Sequence, residues 1–237
     1  MTFLNLNHRP DTELRHQIIA TALDMNRLGI NQGKSGNVSA RLATGVDGAL
    51  NSFLITPTGI AYAETRPDQI VAMHSDGNLI NHSGDILPSS EWRFHRDIYV
   101  SRPDVHAIVH THAAYCTTLA CISREIPAFH YMVAVAGGDN IRCAPYATFG
   151  TQALSDHAVT ALIDRKACLL AQHGMIAVGD TLTQALSIAI EVESLARLYW
   201  QALQIGTPPV LDQAEMATVI EKFKTYGQQN AQAPTSA

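Results

Sequence analysis

The chain has 237 residues, is 46% hydrophobic, and carries a net charge of −5 on only 16% charged side chains. That length suits one large domain or two small ones, and the absence of any basic block argues against nucleic acid or an anionic membrane as the main partner. No apolar run reaches the ~20 residues that span a bilayer, so no membrane partner is expected. A typical soluble chain is about 25% charged. A chain this poor in charge has trouble covering its own surface, which points to a homo-oligomer. The opening MTFLNLNHRPD lacks the basic start and apolar core of a signal peptide, so the expected location is cytoplasmic. Cys116, Cys121, Cys143 and Cys168 form no C-x-x-C pair, and reduced, mostly buried thiols are expected rather than a zinc–cysteine site or a disulfide framework.

In chain order, residues 11–28 place Leu14, Ile18, Ala22 and Met25 at helical spacing, with Asp11 to cap the start and Gly29 to end it. NQGKSGNVSAR is a Gly- and Asn-rich turn running into a short strand. TGVDGALNS reads as a hairpin turn within the loop 43–52. FLITPTG (53–59) is an apolar strand ending in a Pro-Thr-Gly turn, and IVAMHSDGNLI reads as two strands around an Asp-Gly turn. PSSEWRFHRDIYVSR opens with a helix-start signal, in which Pro88, Ser89 and Ser90 precede Glu91 and a periodic pattern. AIVHTHA (107–113) is a strand and AYCTTLACIS a helix. KACLLAQHGMIAVG is a strand pair or hairpin around Gln172-His173-Gly174. A long helix over TLTQALSIAIEVESLARLYWQALQIG stops at Gly206, and DQAEMATVIEKFKTYG is a final helix capped by Asp212. QQNAQAPTSA, from 228, reads as a disordered tail. The fold class predicted is α/β: a single layered domain over residues 1–227, with a mixed, largely antiparallel central sheet covered by helices.

Two histidines inside an apolar strand require a reason, because imidazole is costly to bury without a partner. Residues two apart on a strand share a face, so His110 and His112 present two rings on one side with Thr111 opposite. His173 follows a second apolar run. Three neutral imidazoles with an open position make a catalytic zinc site, although the same ligands also suit cobalt, nickel or iron. His106, four residues ahead of His110, is the false positive to guard against; His95 and His130 are read as ordinary packed histidines.

Three further stretches suit an anion. GKSGNVS offers Gly36, Asn37 and Ser39, TPTG offers Thr58 and Gly59, and PSSE places Ser89 and Ser90 at a helix start, where unpaired N–H groups favour negative charge. The first is not a nucleotide P-loop, because the G-x-x-x-x-G-K-[ST] order is missing. Lys34 reads as an exposed loop lysine. Glu91, next to the two serines, is a candidate base. The chain's lysines are Lys34, Lys166, Lys222 and Lys224, and none lies inside an apolar strand where burial would lower its pKa. A Schiff-base mechanism is therefore rejected.

Eight separated stretches, NQGKSGNVS, ITPTGI, LPSSEWRFH, VHTHAAYCT, IPAFHYMVAVAGG, CAPYATFGT, QHGMIAV and EKFKTYG, together resemble the class II aldolase/adducin family, in order and over about residues 11 to 227. The resemblance implies zinc, one ion per subunit, on His110, His112, His173 and Glu91, with Glu91 also acting as base. It implies a phosphate cradle of Asn37, Thr58, Gly59, Ser89 and Ser90, and a proton donor, Tyr131, that reaches into a neighbouring subunit's site. Phe149 and Tyr226 are implied to shape the aldehyde side, in a homotetramer with sites between subunits. The activity implied is zinc-dependent retro-aldol cleavage of L-fuculose 1-phosphate, or a close ketose 1-phosphate, to dihydroxyacetone phosphate and L-lactaldehyde through a metal-stabilised enediolate. Alternatives on the same scaffold are 5-deoxyribulose-1-phosphate cleavage, pentulose-phosphate 4-epimerisation and 3-oxo-tetronate 4-phosphate decarboxylation. Glu91 stands where the epimerases carry an aspartate, which favours an aldolase. A non-catalytic adducin-like interaction module should lack the three histidines.

Overall fold

The computed structural model describes residues 11–42, 52–80 and 84–224. Most of the loop 43–52, Tyr226 and the expected tail lie outside these residues. Seven short strands pair into one sheet: β1 Asn37–Arg41, β2 Phe53–Ile55, β3 Val71–Met73, β4 Ala107–Thr111, β5 Cys143–Ala144, β6 Ala167–Leu170 and β7 Gly174–Gly179. Their order across the sheet is β3-β2-β1-β4-β7-β6-β5. Every neighbouring pair is antiparallel except β5 with β6. The expectation of a mixed, largely antiparallel sheet therefore holds.

Side chains alternate across this sheet, and both faces are buried. On one face, Val38, Ala40, Val109, Leu169, Met175 and Ala177 meet helices α1 (Thr12–Arg27), α3 (Ala114–Cys121) and α5 (Leu182–Ile205). On the other, Ile55, Ile108, Leu170, Ile176 and Val178 meet α2 (Trp92–Ser101) and α4 (Gln152–Ala161). Burial on both faces explains why β4, β6 and β7 read as nearly continuous apolar runs. It also means that a polar residue within them must find its partners inside the protein.

Two capped helices form where the periodicity predicts them. Thr181 accepts from the Gln184 N–H at the start of α5, and Asp212 accepts from the Glu215 N–H to start α6 (Gln213–Phe223). Asp11 precedes α1 but does not cap it. Its carboxylate pairs with Arg15 at 2.7 Å, and Arg15 also donates to the carbonyls of Pro67 and Ile70, tying α1 to the segment ahead of β3.

Tyr131 opens a 3-10 turn, Tyr131–Ala136, that ends at the left-handed Gly137. Besides the Asp11 cap, two expectations are corrected. The second strand after the Asp-Gly turn shrinks to one bridge between Met73 and Leu79. Of the four free cysteines only Cys116 and Cys168 are buried, while Cys143 is half-buried and Cys121 exposed. Among the described residues, no helix is long and apolar enough to cross a membrane.

Candidate active site

β4 delivers the first two imidazoles. Its His110 pairs with Asn37 of β1 on one side and with Ile176 of β7 on the other, at the centre of the sheet. His110 is completely buried and turns towards the α2 side, beside the Phe94 ring. Thr111 faces the opposite way and donates to the Ile30 carbonyl and to Asn31 Oδ1. His112 then returns to the side of His110, as the two-residue period demands.

The β6–β7 turn delivers the third. Gln172 adopts a φ of 55°, a left-handed conformation uncommon for a residue with a side chain, and this turn sets His173 against the other rings. Gly174 makes the approach possible. A Cβ there would lie 2.6 Å from the Thr111 carbonyl oxygen and 2.9 Å from His112 Cδ2. The result is three imidazoles whose ligating nitrogens all lie within 4.8 Å of one another.

Glu91 closes the group. It sits at the N-cap of α2, but its side chain does not cap the helix. Instead Oε2 lies 3.1 Å from His110 Nε2, and Oε1 lies 3.2 Å from His173 Nε2. His110 Nδ1 is 2.9 Å from the Met175 carbonyl, which can only accept, so the ring proton belongs on Nδ1 and Nε2 presents a bare lone pair. That lone pair faces a carboxylate oxygen and, at 3.2 Å, His112 Nε2. Glu91 Oε1 is buried without a hydrogen-bond partner. Converging lone pairs and an orphaned, buried carboxylate oxygen are what a divalent cation satisfies, and nitrogen and oxygen donors in this number suit zinc. Burial pushes the Glu91 carboxyl up, but the adjoining His110 and His173 outweigh it and hold it well below the usual carboxylate range. Burial, helped by His110 and His173, lowers His112 to about 4, which keeps the imidazole in its ligand form at neutral pH.

The expected anion stretches adjoin this cluster. A bridge between Pro57 and Pro88, with the Ser89 N–H donating to the Thr56 carbonyl at 2.9 Å and the Thr58 N–H to the Leu87 carbonyl at 3.0 Å, zips TPTG alongside PSSE. Lys34 Nζ donates to the Gly59 carbonyl at 2.6 Å, which brings the first loop to the second. Thr58, Gly59 and Ser90 are exposed; Ser89 is buried and accepts from the Glu91 N–H. Gly36 is buried against β4, where a Cβ would stand 2.5 Å from the His110 carbonyl oxygen, so strand packing alone demands glycine there. The Asn37 side chain turns inward, to Glu91 and His95.

A cavity of about 340 Å³ opens over the cluster, lined among others by Ser90, Glu91, His112, His173, Tyr146 and Phe149. Phe149 is 63% exposed and Tyr146 57%, so both aromatics stand free at its edge. Sequence reasoning did not single out Tyr146 or Gln172, although both lie inside the stretches that carry the family resemblance. Tyr131 is not among the residues lining this cavity. It is 48% exposed and lines a different one with Phe129, Leu211 and Phe223. His106 is exposed ahead of β4 and outside the cluster.

Comparison with known proteins agrees with this geometry. Residues 16–200 match the profile of the Class II Aldolase and Adducin N-terminal domain. The chain is 54% identical over 222 residues to the 5-methylthioribulose-1-phosphate/5-deoxyribulose-1-phosphate aldolase of Rhodospirillum rubrum, covering 94% of this chain and 96% of that one. It is 53% identical over 216 residues to the L-fuculose phosphate aldolase of Escherichia coli K12, covering 91% and 96%. A solved structure of an L-fuculose 1-phosphate aldolase superposes with a TM-score of 0.83 at 38% identity, covering 92% of this chain and 98% of the other. The chain therefore belongs to the class II aldolase and adducin family, as an enzyme of its metal-dependent aldolase kind.

Proposed function

We propose that this enzyme cleaves a ketose 1-phosphate between C3 and C4, releasing dihydroxyacetone phosphate and a short aldehyde, with L-fuculose 1-phosphate as substrate and L-lactaldehyde as the second product. The observation that carries the reading is the meeting of His110, His112, His173 and Glu91 beside two exposed Ser/Thr turns. Bound by those four side chains, zinc supplies a Lewis acid for the negative charge left on the C2–C3 fragment. No lysine competes for that task, because all four are exposed and none lines the cavity.

Cleavage moves one proton, from the C4 hydroxyl to C3. Glu91 is placed to serve C3, where it delivers the proton in cleavage and removes it in condensation. Tyr131 serves the C4 oxygen from a neighbouring subunit, which accords with its exposure and its absence from the lining of its own chain's cavity. Thr58, Gly59, Ser89 and Ser90 hold the phosphate, supplying binding energy away from the reacting bond and fixing orientation. Phe149, at the open edge, bounds the aldehyde fragment.

A second reading has equal support from the relatives: a 5-deoxy- or 5-methylthio-ribulose 1-phosphate, as in the name of the Rhodospirillum enzyme. The free aromatic pair Tyr146 and Phe149 suits an apolar aldehyde tail in either case. The test is a substrate panel on the zinc-loaded protein, with dihydroxyacetone phosphate release measured for L-fuculose, L-rhamnulose, 5-deoxyribulose, 5-methylthioribulose and ribulose phosphates. Preference for L-fuculose 1-phosphate is the expected result. Preference for a ribulose derivative moves the assignment to the second reading, and no release from any of them refutes both.

A further inference from the structure

Behind Glu91 the structure holds a buried polar ladder that the reaction, as described, does not use. Asn37 and Ser39 alternate on β1, and Glu91, His95 and Tyr99 recur every four residues along α2 and its N-cap. A two-residue step on a strand and a four-residue step on a helix are nearly equal in length, about 6–7 Å, so the two rows stay opposite one another. The Tyr99 hydroxyl lies 2.8 Å from Ser39 Oγ, and Ser39 Oγ lies 2.7 Å from His95 Nδ1. His95 Nε2 lies 2.5 Å from Asn37 Oδ1, and Asn37 Nδ2 lies 3.0 Å from Glu91 Oε2. His95, Ser39 and Tyr99 are 0%, 0% and 1% exposed, with no room for solvent to substitute for any partner.

The donor in each contact follows from chemistry. The Glu91 carboxylate can only accept, so Asn37 turns its NH2 to Glu91 and its carbonyl oxygen to His95. His95 must then carry its proton on Nε2. Complete burial lowers its pKa to about 3, so the ring is neutral and Nδ1 is an acceptor. Ser39 donates to Nδ1, which leaves its oxygen to accept from Tyr99. Four hydrogen bonds therefore all point one way, towards one carboxylate oxygen, and chains aligned in this manner polarise one another. The amide of Asn37 interrupts any proton relay, so the ladder orients rather than conducts.

We infer that His95 is a positioning residue: through Asn37 it anchors Glu91 Oε2, and it thereby reserves Oε1, the oxygen without a hydrogen-bond partner, for the C3 proton. This rests on the reading of Glu91 as the base. It gives Asn37 a role beside the base in addition to any contact with phosphate.

The test has two arms on the zinc-loaded protein. In the first, nitrogen NMR of 15N-histidine-labelled protein reads the His95 tautomer directly; a proton on Nε2 is expected, and a proton on Nδ1 overturns the inference whatever the substrate proves to be. In the second, deuterium exchange at C3 of dihydroxyacetone phosphate is compared across variants at equal zinc content. His95→Phe keeps an aromatic ring but removes both nitrogens, and exchange should fall about tenfold to a hundredfold, within what a well-placed acid–base group contributes. KM should change little. His95→Gln restores a donor to Asn37 and should recover most of the rate; equal rates in the two variants, or no loss in His95→Phe, overturn the inference. If the His95 variants do not fold, Tyr99→Phe removes only the far hydroxyl and should slow exchange severalfold, and an unchanged rate counts against the ladder. Exchange absent from the wild type refutes the reading of the reaction instead, while the tautomer measurement still decides the ladder.

Discussion

Gly174 contributes to the proposed metal site by lacking a side chain. Its neighbours are the Thr111 carbonyl and the His112 ring, a backbone atom and a proposed ligand, and neither can give way without moving the site. Gly174→Ala should therefore cost about 1–3 kcal/mol through overpacking and lower the bound zinc measured by elemental analysis. Glu91 is the complementary case. Glu91→Gln keeps the volume and one oxygen, so zinc content should change little while C3 proton exchange falls by roughly 100- to 10,000-fold; unaltered exchange, followed by NMR in heavy water, would remove Glu91 as base. At this scale His110 and His112 were legible, because a two-residue period is a local rule. His173 was legible only with the help of the apolar run before it. The inward turn of Asn37 and the part played by His95 were not, since both depend on β1 lying beside α2, and nothing within five residues of either reveals that.

Elements were legible in proportion to how much of their stabilisation is local. α5 and α6 carry their own caps and an apolar period, and both appear where the pattern places them. α4 was missed: its buried face is Leu154, Ser155, Ala158 and Ala161, too small and too polar to stand out. The turn at Tyr131 was missed because 3-10 geometry follows neither the helical nor the strand period. The two serine and threonine turns look like ordinary turns one at a time, and only the bridge between Pro57 and Pro88 makes them a single surface. That pairing yields a prediction for the element as a whole. Ser90→Ala removes a hydroxyl from the cavity wall without disturbing the backbone bonds of the bridge. KM for the phosphorylated substrate should rise by roughly tenfold to a hundredfold, the value of a hydrogen bond to a charged group at about 1.5–3 kcal/mol. Its kcat should change much less, and an unaltered KM would tell against the cradle.

For the whole molecule, the proposed cation joins β4, the β6–β7 turn and the start of α2, which are far apart in sequence. Chelation should then abolish turnover and also lower the melting temperature, because an ion bound only by the folded state stabilises it. Calorimetry before and after zinc is restored checks this. Tyr131 does not line its own chain's cavity, so a site shared between subunits makes a sharper prediction. Tyr131→Phe should harm aldol turnover more than C3 proton exchange. When refolded together, Tyr131→Phe and Glu91→Gln chains should form mixed oligomers that regain activity neither has alone. Mixtures no more active than their components would place both residues in one chain's site or remove Tyr131 from the chemistry.

By itself the sequence determined the α/β class, the main helices, the paired histidines and the absence of a lysine suited to the chemistry, because periodicity, caps and residue inventory are properties of neighbouring positions. The tertiary structure alone decided that Glu91 faces the imidazoles instead of capping its helix, that two turns adjoin, and that one carboxylate oxygen accepts from Asn37 while the other faces His173. Those outcomes depend on strand pairing and helix docking between segments distant in sequence, where the geometry of a contact is set by everything packed around it.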